Sequence, residues 1–327
     1  MKLLLITIFF KIVYQILLFS AIILIVIYME KNILKKCNLC NRLCLVNRYE
    51  KIGYCKQTNK IRIAKATLTY FEEPCISNED GSGTIFFSGC NMGCVFCQNK
   101  KIARDNFGTV VSIKKLAEIM LNLQNKGALN INLVTPTPHV IVIIKAIKLA
   151  KKQGLSIPII YNTSSYETVD TIKLLDGLID VYLPDLKYFS DQYALKYSNA
   201  KNYFSHATKA IFEMYKQVGP CKFDEFGNIQ KGVIVRHLML PTLKEDTKKI
   251  LSYLYQTYKD NIYLSIMNQY TIMENLEYKE LNQKVKDKDY NEIIDFCLEL
   301  GIKNAFCQLD NTSSKDFIPD FNLEGVK

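Results

Sequence analysis

The residues best equipped to do chemistry are cysteines. The chain has eleven, and eight of them lie between Cys37 and Cys97. Three stand together in SGCNMGCVFCQN as Cys90, Cys94 and Cys97, with the spacing C-x3-C-x2-C. Three thiolates on one tight loop can hold three irons of a cubane and leave the fourth iron open to a ligand from outside the protein. A structural zinc site would instead want a fourth protein ligand close by to complete its tetrahedron. Phe96, just ahead of the third cysteine, and the glycines Gly89 and Gly93 suit a loop wrapped closely around a bulky inorganic core. Further upstream, Cys37, Cys40, Cys44 and Cys55 form C-x2-C-x3-C-x10-C. Four soft thiolates at that spacing can hold a second metal, either an auxiliary iron–sulfur cluster or a structural zinc. Cys75 is placed to substitute for one of the four, and the isolated Cys221, Cys297 and Cys307 read as buried thiols.

The elements that must position these loops follow from the apolar pattern. After the Cys-rich stretch comes a strand-like IRIAKATLTYF, and a Gly-Ser-Gly turn at 81–83 punctuates the chain before TIFFS. From there, short β-branched runs alternate with amphipathic segments. TIFFS at 84–88 precedes VSIKKLAEIMLNLQNKG, INLVT at 131–135 precedes HVIVIIKAIKLAKKQG, and IPIIY at 157–161 precedes SYETVDTIKLLDG. LIDVYL at 178–183, GVIVRHLML at 232–240 and NIYLSIM at 261–267 continue the series, with KEDTKKILSYLYQTY as an intervening helix. Six β-then-α units predict a parallel sheet buried on both faces. The expected fold class is α/β, a partial (β/α)6 TIM-like barrel, with its functional residues at the C-terminal ends of the strands. The expected organisation is a leader at 1–28, a Cys-rich module at 29–80, the barrel at 81–310 and a loosely packed polar tail at 311–327, where no chemistry is expected.

With the cluster loop placed after a first barrel strand, C-x3-C-x-aromatic-C resembles the signature of the radical S-adenosylmethionine superfamily. EEPCISNEDGSGTIFFSGCNMGCVFCQN, NINLVTPTPH, PIIYNTSSYE, LIDVYLPDLKY and VIVRHLMLP are similar, in order, to its pyruvate formate-lyase activating enzyme-like branch. The resemblance spans Cys37 to about Phe306. It implies that the open iron of a [4Fe-4S] cluster is chelated by the amino and carboxylate groups of S-adenosylmethionine. An electron from a donor such as flavodoxin or ferredoxin then cleaves the sulfonium, giving methionine and a 5′-deoxyadenosyl radical that abstracts hydrogen from a substrate. The hard chemistry is the cofactor's, and the protein supplies orientation, electron access and a dry site.

The resemblance also directs attention to the strand ends. Most of the superfamily has a Gly-Gly-Glu-Pro-like stretch on the second strand for the amino group of S-adenosylmethionine. Here Leu133, Val134, Thr135 and Pro136 stand in that place, so Thr135 offers a hydroxyl and backbone carbonyls where a carboxylate is usual. Asn162 and Ser164 supply small polar groups for ribose or carboxylate. Asp185 and Lys187, in an Asp-Leu-Lys triplet similar to that of glycyl-radical activating enzymes, lie two apart on one strand and so point to one face. Arg236 and His237 must point to opposite faces, and Arg236 is the expected clamp on the cofactor carboxylate. His237, His139 and His206 read as core residues.

The implied activity is hydrogen abstraction from a protein or peptide backbone, as in glycyl-radical activation. The alternatives are radical modification of another peptide or small molecule, and a non-catalytic iron–sulfur redox protein. Composition fits an enzyme: 327 residues that are 49% hydrophobic and 23% charged can build a barrel core and are not a disordered chain. The net charge of +10 is spread along the sequence without basic runs, which predicts a solvated lysine-rich surface and no nucleic-acid partner. Long apolar periodic segments and the lack of an A-x-A cleavage site argue against a secreted disulfide scaffold and for reduced thiols in a cytoplasmic body. Residues 12–28 are an uncharged run at the short end of the roughly 17–25 residues that span a bilayer. Two readings stay open for it: a membrane tether with the body held in the cytoplasm by the flanking lysines, or a leader left out when translation starts at Met29.

Overall fold

The computed structural model describes residues 32–308 and 319–327. The leader and the first part of the tail lie outside the described residues. No helix among those described is long and apolar enough to cross a membrane.

The strands are β1 (Ile61–Thr69), β2 (Ser82–Phe87), β3 (Thr109–Val111), β4 (Ile131–Val134), β5 (Ile159–Thr163), β6 (Val181–Pro184), β7 (Lys222–Phe223), β8 (Ile229–Leu238), β9 (Tyr263–Met267) and β10 (Ala305–Cys307). They form one sheet in the order β10-β9-β8-β6-β5-β4-β2-β1-β3, with β7 paired to β8. From β2 to β10 every neighbour on that path is parallel. The six expected strands are all present, and the short β10 extends the curl by a seventh. β1 and β3 are antiparallel additions at the other edge. The fold is α/β, a partial TIM-like barrel. One expectation needs correction: the Gly-Ser-Gly turn is confined to Gly81 (φ +86°), and Ser82 and Gly83 already lie in β2.

The helices follow their apolar spacing. In Ile113–Asn125, Leu116, Ala117, Ile119, Met120 and Leu123 are buried, and the Ser112 side chain caps the first turn by accepting from Lys115 N at 3.0 Å. Val140–Lys152 buries seven residues, among them Ile143, Ile144 and Ile147, against the same core. The central strands are buried on both faces, as their β-branched runs require.

The end of the tail is not loose. Phe321 packs edge-on against Phe86 at 5.5 Å, Leu323 N donates to Ala64 O at 3.0 Å, and Ala66 N donates to Glu324 O at 2.9 Å. The reason lies in the sheet. β3 covers β1 only from Ile61 to Ile63, so the outer edge of β1 beyond Ile63 would present unpaired backbone groups, and the tail pairs them. Polarity alone hid this, because among the described residues of the tail the buried apolar side chains are Phe321 and Val326.

Candidate active site

The strand ends converge on one cavity of about 680 Å³. Its lining includes Cys90, Cys94 and Cys97 from the loop after β2, Thr135 after β4, Asn162 and Ser164 from the end of β5, Asp185 and Lys187 from the end of β6, and Arg236 from β8. Residues spread over 147 positions of sequence meet here because parallel strands end on the same rim.

The cysteine loop is held from behind. Met92 N donates to Cys90 Sγ at 3.3 Å, and the Ser198 hydroxyl donates to Cys94 Sγ at 3.0 Å. Burial, with the neighbouring Cys94, pushes the Cys90 thiol up to about 11. Burial, Cys94 and Cys90 together push Cys97 up to about 12. These thiols therefore keep their protons until a metal displaces them. Among the described residues, no group of three or more His, Cys, Asp or Glu side chains stands ready to hold a single metal ion. The donor set, three thiols facing a roomy cavity with no fourth protein ligand among them, fits a cluster with one open iron.

The glycines of this loop do something other than what the sequence implied. A Cβ on Gly89 (φ +85°) would lie 2.5 Å from Cys55 O, and one on Gly93 would lie 2.5 Å from Tyr54 Oη. The close approach is to the backbone and side chains of the N-terminal module, which packs on the outside of the loop. Phe96 likewise turns outward, its ring edge-on to Tyr270 at 5.9 Å.

Across the cavity, Lys187 Nζ pairs with Asp185 Oδ2 at 2.6 Å. Burial alone would lower Lys187, but the Asp185 carboxylate outweighs it and holds the ammonium charged. Thr135 has φ +58°, a strained conformation for a β-branched residue, and its N–H donates to Asn162 O at 3.0 Å. Arg236 does not stand alone. Its Nε donates to Glu73 Oε1 at 2.7 Å and its Nη2 to Glu73 Oε2 at 2.5 Å, with a further bond from Nη2 to Glu72. Burial would raise Glu73, yet Arg236 overrides it and holds the carboxyl below its usual range. Glu72 and Glu73 went unread in the sequence: an acid pair before a proline gives no sign that it will meet an arginine from β8.

Two of the three histidines support the strand ends. His139 places Nε2 2.9 Å from Ser88 O, next to the cluster loop, and His237 places Nδ1 2.7 Å from Leu186 O, between Asp185 and Lys187. Burial, with the Arg48 charge, lowers His139 to about 3, and burial lowers His237 to about 4. Both rings are neutral near pH 7, so these nitrogens carry the hydrogens and donate to the carbonyls. His206 sits edge-on to Tyr166 at 5.8 Å, away from the cavity.

The N-terminal cysteines gather at a different place. Cys37, Cys40, Cys44 and Cys55 surround a void of about 10 Å³, walled also by Arg42, Arg48, Tyr54, Asn91, Thr137 and Pro138. Burial and then the neighbouring cysteines push the Cys40 thiol up.

A parallel-strand barrel with a three-cysteine loop over its C-terminal mouth defines a class of enzymes that bind a cluster and a small-molecule ligand of its open iron. Residues 84–254 match the family model of the Radical SAM superfamily, and the chain belongs to that superfamily. It is 32% identical over 284 residues to an uncharacterized protein of Methanocaldococcus jannaschii, covering 84% of this chain and 76% of that one. Among solved structures it resembles Streptococcus suis SuiB bound to S-adenosylmethionine, at 13% identity and a TM-score of 0.46 over 68% of this chain and 49% of SuiB, so it spans about half of that protein. It also resembles a domain of pyruvate-formate lyase-activating enzyme from Bacteroides vulgatus, at 13% identity and a TM-score of 0.38, covering 53% of this chain and 94% of that domain. Membership of the superfamily implies a [4Fe-4S] cluster, S-adenosylmethionine and radical chemistry.

Proposed function

We propose that Cys90, Cys94 and Cys97 ligate the cluster, that Thr135, Asn162, Ser164, Asp185, Lys187 and Arg236 seat S-adenosylmethionine, and that the hydrogen abstracted belongs to a protein or peptide backbone. The observation that carries this reading is the shared cavity, which sets the three thiols and the six polar strand-end residues around one space. When bound, the reduced cluster supplies the electron that splits the sulfonium. The chain's own residues do the rest. Lys187 offsets thiolate charge beside Cys94 and Cys90. Thr135, on the cavity lining, offers its hydroxyl and backbone carbonyl to the amino group of the ligand. The contacts of Arg236 with Glu72 and Glu73 run through Nε and Nη2, which leaves Nη1 to meet a ligand carboxylate.

A backbone substrate is supported by the Asp-Leu-Lys triplet of Asp185 and Lys187 on the cavity lining. The four N-terminal thiols, as a metal site separate from the cluster loop, and an electron donor of the flavodoxin or ferredoxin kind belong to the same proposal. The test is anaerobic reconstitution with iron and sulfide, followed by a reductant and S-adenosylmethionine. Formation of 5′-deoxyadenosine is expected, and its absence from a chain with a loaded loop cluster overturns the assignment. A glycyl-radical signal raised in a protein partner would support the backbone substrate, whereas product found only on small molecules would reject it.

A further inference from the structure

The stretch from Cys37 to Lys60 contains no helix and no strand pairing beyond a single bridge at Cys40, yet Cys37, Leu39, Arg48, Cys55 and Gln57 are buried in it. Leu43, Leu45 and Lys56 hold left-handed backbone conformations, with φ of 42°, 52° and 62°. A short, irregular, strained segment with so few buried apolar groups needs a staple. Among the described residues its cysteines form no disulfide.

The four cysteines converge from three turns of chain. A Cβ on Gly53 would stand 3.5 Å from both Cys44 Sγ and Cys55 Sγ, so those two sulfurs flank one point. Cys37 and Cys40 close the other side of the same void. Its volume of about 10 Å³ is that of roughly one water-sized body. The sulfurs do not stand in the geometry of a bound ion, so binding would draw them inward.

The module is also joined to the cluster loop. Arg42, on the turn between Cys40 and Cys44, donates from Nε to Asn91 O at 2.7 Å, from Nη2 to Ser198 O at 3.1 Å, and from Nη1 to Asn199 O. Its guanidinium lies 4.0 Å above the Tyr54 ring. Asn91 is the residue after Cys90, and Ser198 donates to Cys94. Cys55 O and Tyr54 meanwhile press on Gly89 and Gly93.

We propose that Cys37, Cys40, Cys44 and Cys55 bind one thiophilic divalent ion, zinc or ferrous iron, in a closed tetrahedral thiolate site, and that this ion holds Arg42 as a positioning residue against the loop that carries Cys90 and Cys94. The claim rests on reading the quartet as a metal site and deepens it by fixing one ion and giving it a task. In the full chain carrying Cys90→Ala, the quartet is the remaining thiol cluster among the described residues, so no quartet variant has to fold.

Expression of that variant with cobalt(II) should give one cobalt per chain and the visible bands of a tetrahedral thiolate site. Metal analysis without cobalt should find one zinc or one iron per chain, and the element found tells the two apart. No bound metal at all overturns both the metal-site reading and the single ion. Several irons with sulfide per chain overturn the single ion and leave the reading standing. Arg42→Gln in the otherwise native chain tests the brace. It should keep the quartet metal and lose loop-bound iron to a chelator several-fold faster than the parent, with Arg42→Lys restoring part of the difference. Equal rates of iron loss in parent and Arg42→Gln overturn the positioning role. Production of 5′-deoxyadenosine by the native chain is a separate readout, so a failure here is not confused with a failure of the radical assignment.

Discussion

Two cysteine groups with nearly the same local spacing end in opposite environments. The loop from Cys90 to Cys97 opens onto about 680 Å³ of polar-lined cavity, whereas Cys37, Cys40, Cys44 and Cys55 enclose about 10 Å³. Spacing sets which thiols can share a metal centre. The room around them and the number of ligands decide whether that centre is open to a substrate or sealed. The contrast can be broken most severely at the open site. Cys90→Ala, Cys94→Ala or Cys97→Ala should each abolish cleavage of S-adenosylmethionine, measured as 5′-deoxyadenosine under a strong reductant. Cleavage retained by any of the three would remove the distinction between the sites.

The next largest effect separates stability from affinity within the open site. Arg236→Ala leaves Glu72 and Glu73 without their partner, and stranding buried carboxylates costs about 3–5 kcal/mol. The variant should unfold at lower denaturant, and a triple change that also replaces both glutamates by glutamine should recover part of the loss. Asp185→Ala removes a carboxylate that pairs with Lys187 but leaves the strand ends in place. It should melt lower than the parent, because Lys187 loses the carboxylate that offsets its burial, and bind S-adenosylmethionine more weakly by ~1.5–3 kcal/mol, the range for a charged hydrogen bond. Calorimetric titration of the reconstituted enzyme checks it. Parent-like affinity would make the Asp185–Lys187 pair purely structural.

Much of this arrangement was legible in the sequence, for reasons that can be stated residue by residue. Short continuous apolar runs between amphipathic helices reveal parallel strands, and parallel strands put Thr135, Asn162, Asp185 and Arg236 on one rim whatever the loops do. Contacts made across the sheet or between modules carry no local signal. Glu72 and Glu73 meet Arg236 from far off in sequence, the tail finds an edge left bare by the shortness of β3, and Arg42 reaches a loop about fifty residues on. Gly89 and Gly93 show how a sound inference can point the wrong way. Their need for closeness was readable, but which neighbour comes close depends on where the N-terminal module docks.

The smallest expected effect sharpens the same comparison at a single hydrogen bond. The Ser198 hydroxyl donates to Cys94 Sγ at 3.0 Å and shares a second hydrogen bond with Tyr188 Oη at 2.7 Å. A donor on a cluster thiolate withdraws electron density and favours the reduced state. Ser198→Ala removes it while the backbone carbonyl that receives Arg42 remains. A neutral hydrogen bond is worth ~0.5–1.5 kcal/mol net, and for a one-electron couple that corresponds to roughly 20–60 mV. The loop cluster of Ser198→Ala should therefore become harder to reduce by that amount in a spectroscopic redox titration, and its rate of cleavage with a weak reductant should fall while the rate with a strong one holds. The substitution lies at the loop, so the metal content of the quartet should not change. A potential equal to the parent's would show that the hydroxyl merely packs against the sulfur, and the two cysteine groups would then differ in room and ligand number without differing in how the protein tunes them.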